Sequence, residues 1–219
     1  MSSRVLEVRR LGVLPFREAE TLQQELVVER QQDRVPDTLL MLEHPRVITL
    51  GVSADATNVL ASEEFLSEQE IKVHQTRRGG DVTYHGPGQL VGYPILSLKP
   101  DRCDLHRYVR DLEEVIIRTV NEFGVTATRI PGLAGVWVGQ TKLAAVGVRV
   151  SRWVTSHGFA LNIRTDLNDF SLIRPCGISG KGVTALAQLT DEDVSVGLVT
   201  DLLVRHFANV FKFEVTCSN

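Results

Sequence analysis

The chain has 219 residues, of which 43% are hydrophobic and 23% charged, and its formal net charge is −3. That length suits one large domain or two small ones, and the balance is that of an ordinary globular protein, which argues against global disorder and against a basic nucleic-acid surface. No apolar run approaches the ~20 residues of a membrane helix, and the opening Met1-Ser2-Ser3-Arg4 has no signal-peptide core behind it. In chain order, residues 5–8 read as a strand. Pro15 opens a helix with Phe16, Ala19, Leu22 and Leu26 at three-to-four spacing. Residues 38–42 and 47–51 read as strands, 63–69 as a short helix and 71–75 as a further strand. Residues 77–98 alternate β-formers with glycines. Asp104 is the candidate N-cap of a long helix, with an apolar stripe through Leu105, Tyr108, Leu112, Val115, Ile116 and Val120, and Gly124 stops it. Residues 135–138, 143–150 and 154–163 read as consecutive strands. Thr190 and Asp193 give a capping-box signal for a last helix ending near Asn209, with residues 211–216 as a closing strand.

Helices and strands mix without a strict βαβ repeat, and the later strands follow one another through short turns. This favours an α+β fold with a mixed sheet flanked by helices. The whole of 1–219 is expected to be one domain, its last forty residues a candidate sub-lobe. Cys103, Cys176 and Cys217 are an odd, sparse set without Cys-x-x-Cys, which points to a reducing compartment rather than a disulfide framework. Six histidines show no His-x-x-x-His spacing, so no metal site is expected. A cytoplasmic monomer is the expectation.

Four segments carry chemistry. The first runs Arg77-Arg78-Gly79-Gly80-Asp81-Val82-Thr83-Tyr84-His85-Gly86-Pro87-Gly88-Gln89 and on to Gly92. Glycine in strand sequence weakens packing unless a ligand or another backbone comes close. The segment reads as a string of turns or as a binding loop. No Gly-Lys-Ser/Thr follows, so a nucleotide phosphate cradle is poorly supported. The second is Lys142 with Ala145, Val146 and Gly147 after it. Such a lysine either snorkels to the surface or enters a site. The third is His157-Gly158-Phe159-Ala160-Leu161-Asn162, where His157 is a base or a hydrogen-bonded structural histidine. The fourth is Pro175-Cys176-Gly177. Cys103 and Cys217 read as small buried apolar residues, whereas Cys176 sits in a turn that can present its thiol. A free thiol titrates near ~8.5, so a neighbouring ammonium would raise its thiolate fraction.

Together, in this order, these segments resemble the lipoyl(octanoyl) transferase family, over nearly the whole chain from Leu42-Glu43-His44-Pro45 onward. The resemblance implies a biotin/lipoate protein-ligase-like fold around an acyl tunnel. It implies that Cys176 is the acyl-thioester nucleophile and that Lys142 lowers its pKa or relays protons. It also implies that Arg78, Gly79, Gly80, Asp81, Val82, Thr83, Tyr84 and His85 contact the acyl substrate, with Ala145, Val146 and Gly147 and with Gly158, Phe159 and Ala160. The implied donor is octanoyl-acyl carrier protein. The implied acceptors are lipoyl domains of 2-oxoacid dehydrogenase complexes and the glycine cleavage H protein, and no cofactor is implied. Backbone N–H groups near Gly147 or Gly158 are candidate oxyanion donors. Arg77, Arg78, Arg149 and Arg152 are candidates for a basic rim that steers acidic partners. Two other readings stay open: an ATP-dependent lipoate or biotin ligase of the same fold, and a non-catalytic module that binds carrier proteins.

Overall fold

The computed structural model describes residues 4–174 and 181–218 and opens with strand β1 (Arg4–Val13). Leu6 and Val8 are fully buried in β1 while Val5 is 42% exposed, the period-two signature of a strand with one face toward the core. Helix α1 (Phe16–Gln31) starts directly after Pro15 and buries Phe16, Ala19, Gln23 and Leu26. Strands β2 (Asp37–Glu43) and β3 (Val47–Leu50) follow, then helix α2 (Glu63–Glu68) and strands β4 (Lys72–Gln75), β5 (Val82–His85) and β6 (Gln89–Ile95). Helix α3 (Leu105–Asn121) is capped by Asp104, whose side chain accepts the Arg107 N–H, and Gly124 leaves it at φ +71°. Strands β7 (Thr128–Ile130), β8 (Leu133–Val138), β9 (Thr141–Ser151), β10 (Val154–Asn162) and β11 (Gly182–Val183) precede helix α4 (Val196–Phe211) and strand β12 (Phe213–Ser218).

Among the described residues, the main sheet runs β12-β1-β2-β6-β10-β9-β8-β7, with β11 alongside β9. β1 is parallel to both β12 and β2, β11 is parallel to β9, and the other pairs are antiparallel. A second sheet has the order β4-β3-β5. Both faces of the main sheet are covered, so β2 is buried through six successive residues. Leu39 and Met41 pack toward α3 and α4; Leu40 and Leu42 pack toward α1. Leu203, Phe207 and Phe211 of α4 lie in the same core as α3, so the last forty residues share the main hydrophobic cluster. The small sheet has its own cluster of Ile48, Leu66, Ile71, Val82, Tyr84, Phe170 and Ile173.

The expected elements are present with several corrections. The N-cap of α4 is Ser195, which accepts the Leu198 N–H at 3.1 Å. Thr190 instead closes a two-residue turn by accepting the Glu192 N–H at 3.3 Å, so the Thr190–Asp193 pair caps nothing. α4 then runs two residues past Asn209, and the closing strand starts at Phe213 because Lys212 turns the chain at φ +60°. Leu105 is 44% exposed and lies off the apolar stripe. Ile71 precedes β4 and belongs to the core. Cys103 is exposed, with its Sγ–H directed at the Leu98 carbonyl, because the chain enters α3 at the surface there. The side chain of Cys217 lies outside what is described.

Candidate active site

The Gly-rich loop between β4 and β5 is held from two sides. Gly79 N–H donates to the Val148 carbonyl of β9 at 2.9 Å, and Val52 N–H and Gly51 N–H donate to the Arg78 and Asp81 carbonyls. Asp81 accepts the Asn58 side-chain amide at 2.8 Å. The Arg78 guanidinium donates to the Thr49 carbonyl at 2.7 Å, to the Thr49 hydroxyl and to the Gly79 carbonyl. At 8% exposure it is an internal clamp, not part of a basic rim, because its donors are committed to buried acceptors. The glycines here make room for backbone. A Cβ on Gly51 would stand 2.1 Å from the Gly80 carbonyl oxygen, and one on Gly158 2.2 Å from the Gly92 oxygen. Gly158 is therefore required by the β6–β10 crossing, whatever else it does.

β9 and β10 pair with Gly147 opposite Gly158 and Ala145 opposite Ala160. Small residues on both strands leave a cavity of about 290 Å³ between this ladder and the Gly-rich loop. Arg78, Gly79, Gly80, Asp81, Val82, Thr83 and His85 line it, as do Lys142, Ala145, Val146, Gly147, Gly158, Phe159 and Ala160. Tyr84 does not line it. Strand alternation turns Tyr84 to the opposite face of β5, where it packs on Phe170 and donates its hydroxyl to Asp169 at 2.5 Å. The cavity also recruits Phe16, Tyr93, Gly132, Leu133, Ala134 and His157, none of which was a sequence candidate for substrate contact. Only tertiary packing unites them, although Phe16 and Tyr93 stand at strongly apolar positions.

Lys142 enters the cavity wall with Nζ 4.8 Å from the centre of the buried Trp137 ring. Lys181 stands over the same ring at 5.4 Å. The chain from Lys181 onward runs beside Lys142: Val183 is its register partner on β11, and Thr184 N–H donates to the Lys142 carbonyl at 3.0 Å. Upstream, Arg174 N–H donates to the Asn58 carbonyl at 2.7 Å, the same Asn58 that braces Asp81. Cys176 lies outside the described residues.

A buried polar relay ties three of the segments together. The Gln89 amide donates to the Tyr84 carbonyl and to Asn162 Oδ1 at 2.9 Å, which fixes its oxygen toward His85 Nδ1 at 2.7 Å. His85 therefore carries its proton on Nδ1, leaving Nε2 as acceptor 3.5 Å from the Thr49 hydroxyl. Asn162 donates onward to the Thr184 carbonyl at 3.0 Å. His44 donates from Nδ1 to the Leu14 carbonyl and accepts the Tyr93 hydroxyl at 2.8 Å. Desolvation holds these rings neutral. His85 is pushed down to about 3, and His44 and His157 to about 4, with the Arg78 and Arg149 charges adding to the effect at His157. Val148, the register partner of His157, lies six residues along β9 from Lys142. Among the described residues no cluster of His, Cys, Asp or Glu is able to hold a metal ion, and no helix is long and apolar enough to cross a membrane.

The chain belongs to the lipoyl protein ligase A/B catalytic domain family, whose description matches residues 15–208. Octanoyltransferases of Solibacter usitatus and Acidobacterium capsulatum are 50% and 47% identical to it, covering 95% and 96% of this chain and 94% and 92% of theirs. It is an acyltransferase of that kind, acting in protein lipoylation. Among solved structures, a bipartite lipoate protein ligase of Thermoplasma acidophilum superposes with a TM-score of 0.76 at 20% identity, over all of this chain and 88% of that one. A biotin protein ligase from Aquifex aeolicus gives 0.57 at 12% identity, over 95% and 70%. At those identities the likeness concerns the fold, which is that of lipoate- and biotin-protein ligases.

Proposed function

We propose that the chain, as a single catalytic domain, moves an octanoyl group from acyl carrier protein to a lysine of lipoyl domains through a thioester on Cys176. What supports this most directly is Lys142, held in the cavity wall beside the strand that follows Cys176 in the sequence. Cys176 precedes Val183, the register partner of Lys142, by seven positions, a tether that permits thiol and amine to meet. The thiolate attacks the carrier thioester carbonyl and the electron pair collects on oxygen. Collapse of that adduct expels the carrier thiolate, which takes up a proton. The acceptor amine then attacks the acyl-cysteine; the nitrogen loses a proton, and the Cys176 thiolate leaves. Thioester exchange is nearly isoenergetic and amide formation is downhill, so the reaction needs no nucleotide. Backbone N–H groups near the cavity stabilise the oxyanion, and loss of one such donor typically costs about 2.7–4 kcal/mol. The small side chains at Ala145, Gly147 and Ala160 leave space for methylenes, each contributing roughly 0.8 kcal/mol on burial.

The experiment is transfer from octanoyl carrier protein to a lipoyl domain or the glycine cleavage H protein in buffer without ATP. Amide formation is expected. A requirement for ATP with free octanoate would favour the ligase reading instead, and carrier binding without turnover would favour a binding module. The setting proposed is the cytoplasm, with the protein acting as a monomer.

A further inference from the structure

A second space of about 540 Å³ lies between α1 and the β9–β10 hairpin, lined by Gln23, Gln24, Val27, Arg149 and Ser156 among others. Among the described residues, His157 alone lines both this groove and the cavity. His157 is 5% exposed, and its ring stands edge-on to Tyr93 at 6.1 Å. Its backbone is held at φ +53°, an unusual conformation for a non-glycine residue. Its N–H is spent on Gln23 Oε1 at 2.7 Å, and its Nε2 lies 3.4 Å from the Thr76 hydroxyl on the groove side. Lys142 lies on β9 two residues beyond Ala144, where the ladder that holds His157 ends, and lines the same cavity. With the acyl carbonyl near Lys142, the methyl end of the chain runs toward this ring.

Resting on the acyl-transfer reading above, we propose that the His157 imidazole is the partition that ends the acyl cavity and so sets the acyl length this enzyme accepts. The fixed φ and the Gln23 contact hold the ring as a wall. Removing it joins two spaces and gives extra methylenes somewhere to go. A group lying past the chain end discriminates by length without touching the reacting atoms. Its loss therefore alters the ratio of rates between donors more than the rate with any one of them.

The test compares kcat/KM for octanoyl, decanoyl, dodecanoyl and tetradecanoyl carrier thioesters in the wild type, His157→Gly and Thr76→Ala. Glycine suits the positive φ, so the fold has no new strain to absorb. The dodecanoyl-to-octanoyl ratio is expected to rise by about tenfold or more in His157→Gly, one methylene alone being worth 10–200-fold in an apolar pocket. Thr76→Ala, which frees the ring to swing into the groove, is expected to raise the ratio less and in the same direction. His157→Gln, which keeps bulk at the partition, is expected to stay close to the wild-type profile. Unchanged ratios in both His157→Gly and Thr76→Ala would overturn the proposal, as would an equal fall for every donor, the mark of a merely structural histidine. A wild type that uses no thioester donor at all would remove the acyl-transfer reading itself, a result separable from any change of ratio.

Discussion

Lys142 rests its Nζ against the Trp137 indole beside a wall of small residues, and it is where the chemistry is most exposed to test. Lys142→Ala is expected to slow acylation by on the order of 10²-fold or more and to move the pH–rate profile to higher pH. Single-turnover rates from pH 6 to 10 check this; an unshifted profile would remove the lysine from proton handling. The buried histidines make a separate prediction. His44, His85 and His157 titrate far below the ~6.5 of an unfolded histidine, so between about pH 4 and 6.5 the unfolded chain binds more protons than the folded one. Their contribution is complete above pH 6.5 and is lost as pH falls toward 4, by up to ~1.4 kcal/mol per pH unit for each ring. Urea midpoints at pH 7.5, 6.0 and 5.0 are expected to fall in that order. A midpoint that holds or rises on acidification would contradict the buried neutral rings.

Among the elements, the start of α4 separates two hydroxyl residues only five positions apart. Ser195→Ala is expected to cost about 1 kcal/mol through the lost cap, while Thr190→Ala stays within ~0.5 kcal/mol. Denaturant midpoints distinguish them, and the reverse order would contradict the observed cap. Gly158→Ala drives a methyl into the Gly92 carbonyl and is expected to cost at least 1–3 kcal/mol. Sequence reasoning reached most of these elements because the apolar period of α3 and the β-former runs of β9 and β10 are strong local signals. It missed the start of α4 because two serine/threonine caps competed and only hydrogen-bond geometry decides between them. It included Tyr84 among substrate contacts although period two across Thr83, Tyr84 and His85 already separates their faces. The relay from His85 through Gln89 and Asn162 to Thr184 joins residues almost one hundred positions apart, and no local pattern reports it.

Over the molecule as a whole, arginines are mostly paired with carboxylates, as Arg4 and Arg30 are with Asp37, and Arg129 with Glu113. Among the described residues, Arg77, Arg149 and Arg152 make no ion pair within 4.0 Å, and Arg78 has left the rim for the interior. If the three steer acidic carrier proteins, kcat/KM falls with added salt, and the triple Arg→Gln variant shows a shallower slope. Stopped-flow acylation at 0.05–0.3 M salt reads both; equal slopes would set the steering surface elsewhere. The general design was legible because three of the four separated motifs, those of Arg78, Lys142 and His157, converge on one cavity. The end wall at His157 was not, since its meaning depends on a groove that only α1 and the β9–β10 hairpin together create.

The most direct measurement is the intact mass of the protein after brief exposure to octanoyl carrier protein without acceptor. The wild type should gain one octanoyl group, labile to neutral hydroxylamine and discharged by a lipoyl domain, and Cys176→Ala should gain none. An adduct of the same lability on Cys176→Ala, or efficient transfer by that variant without any adduct, would contradict a path through the cysteine.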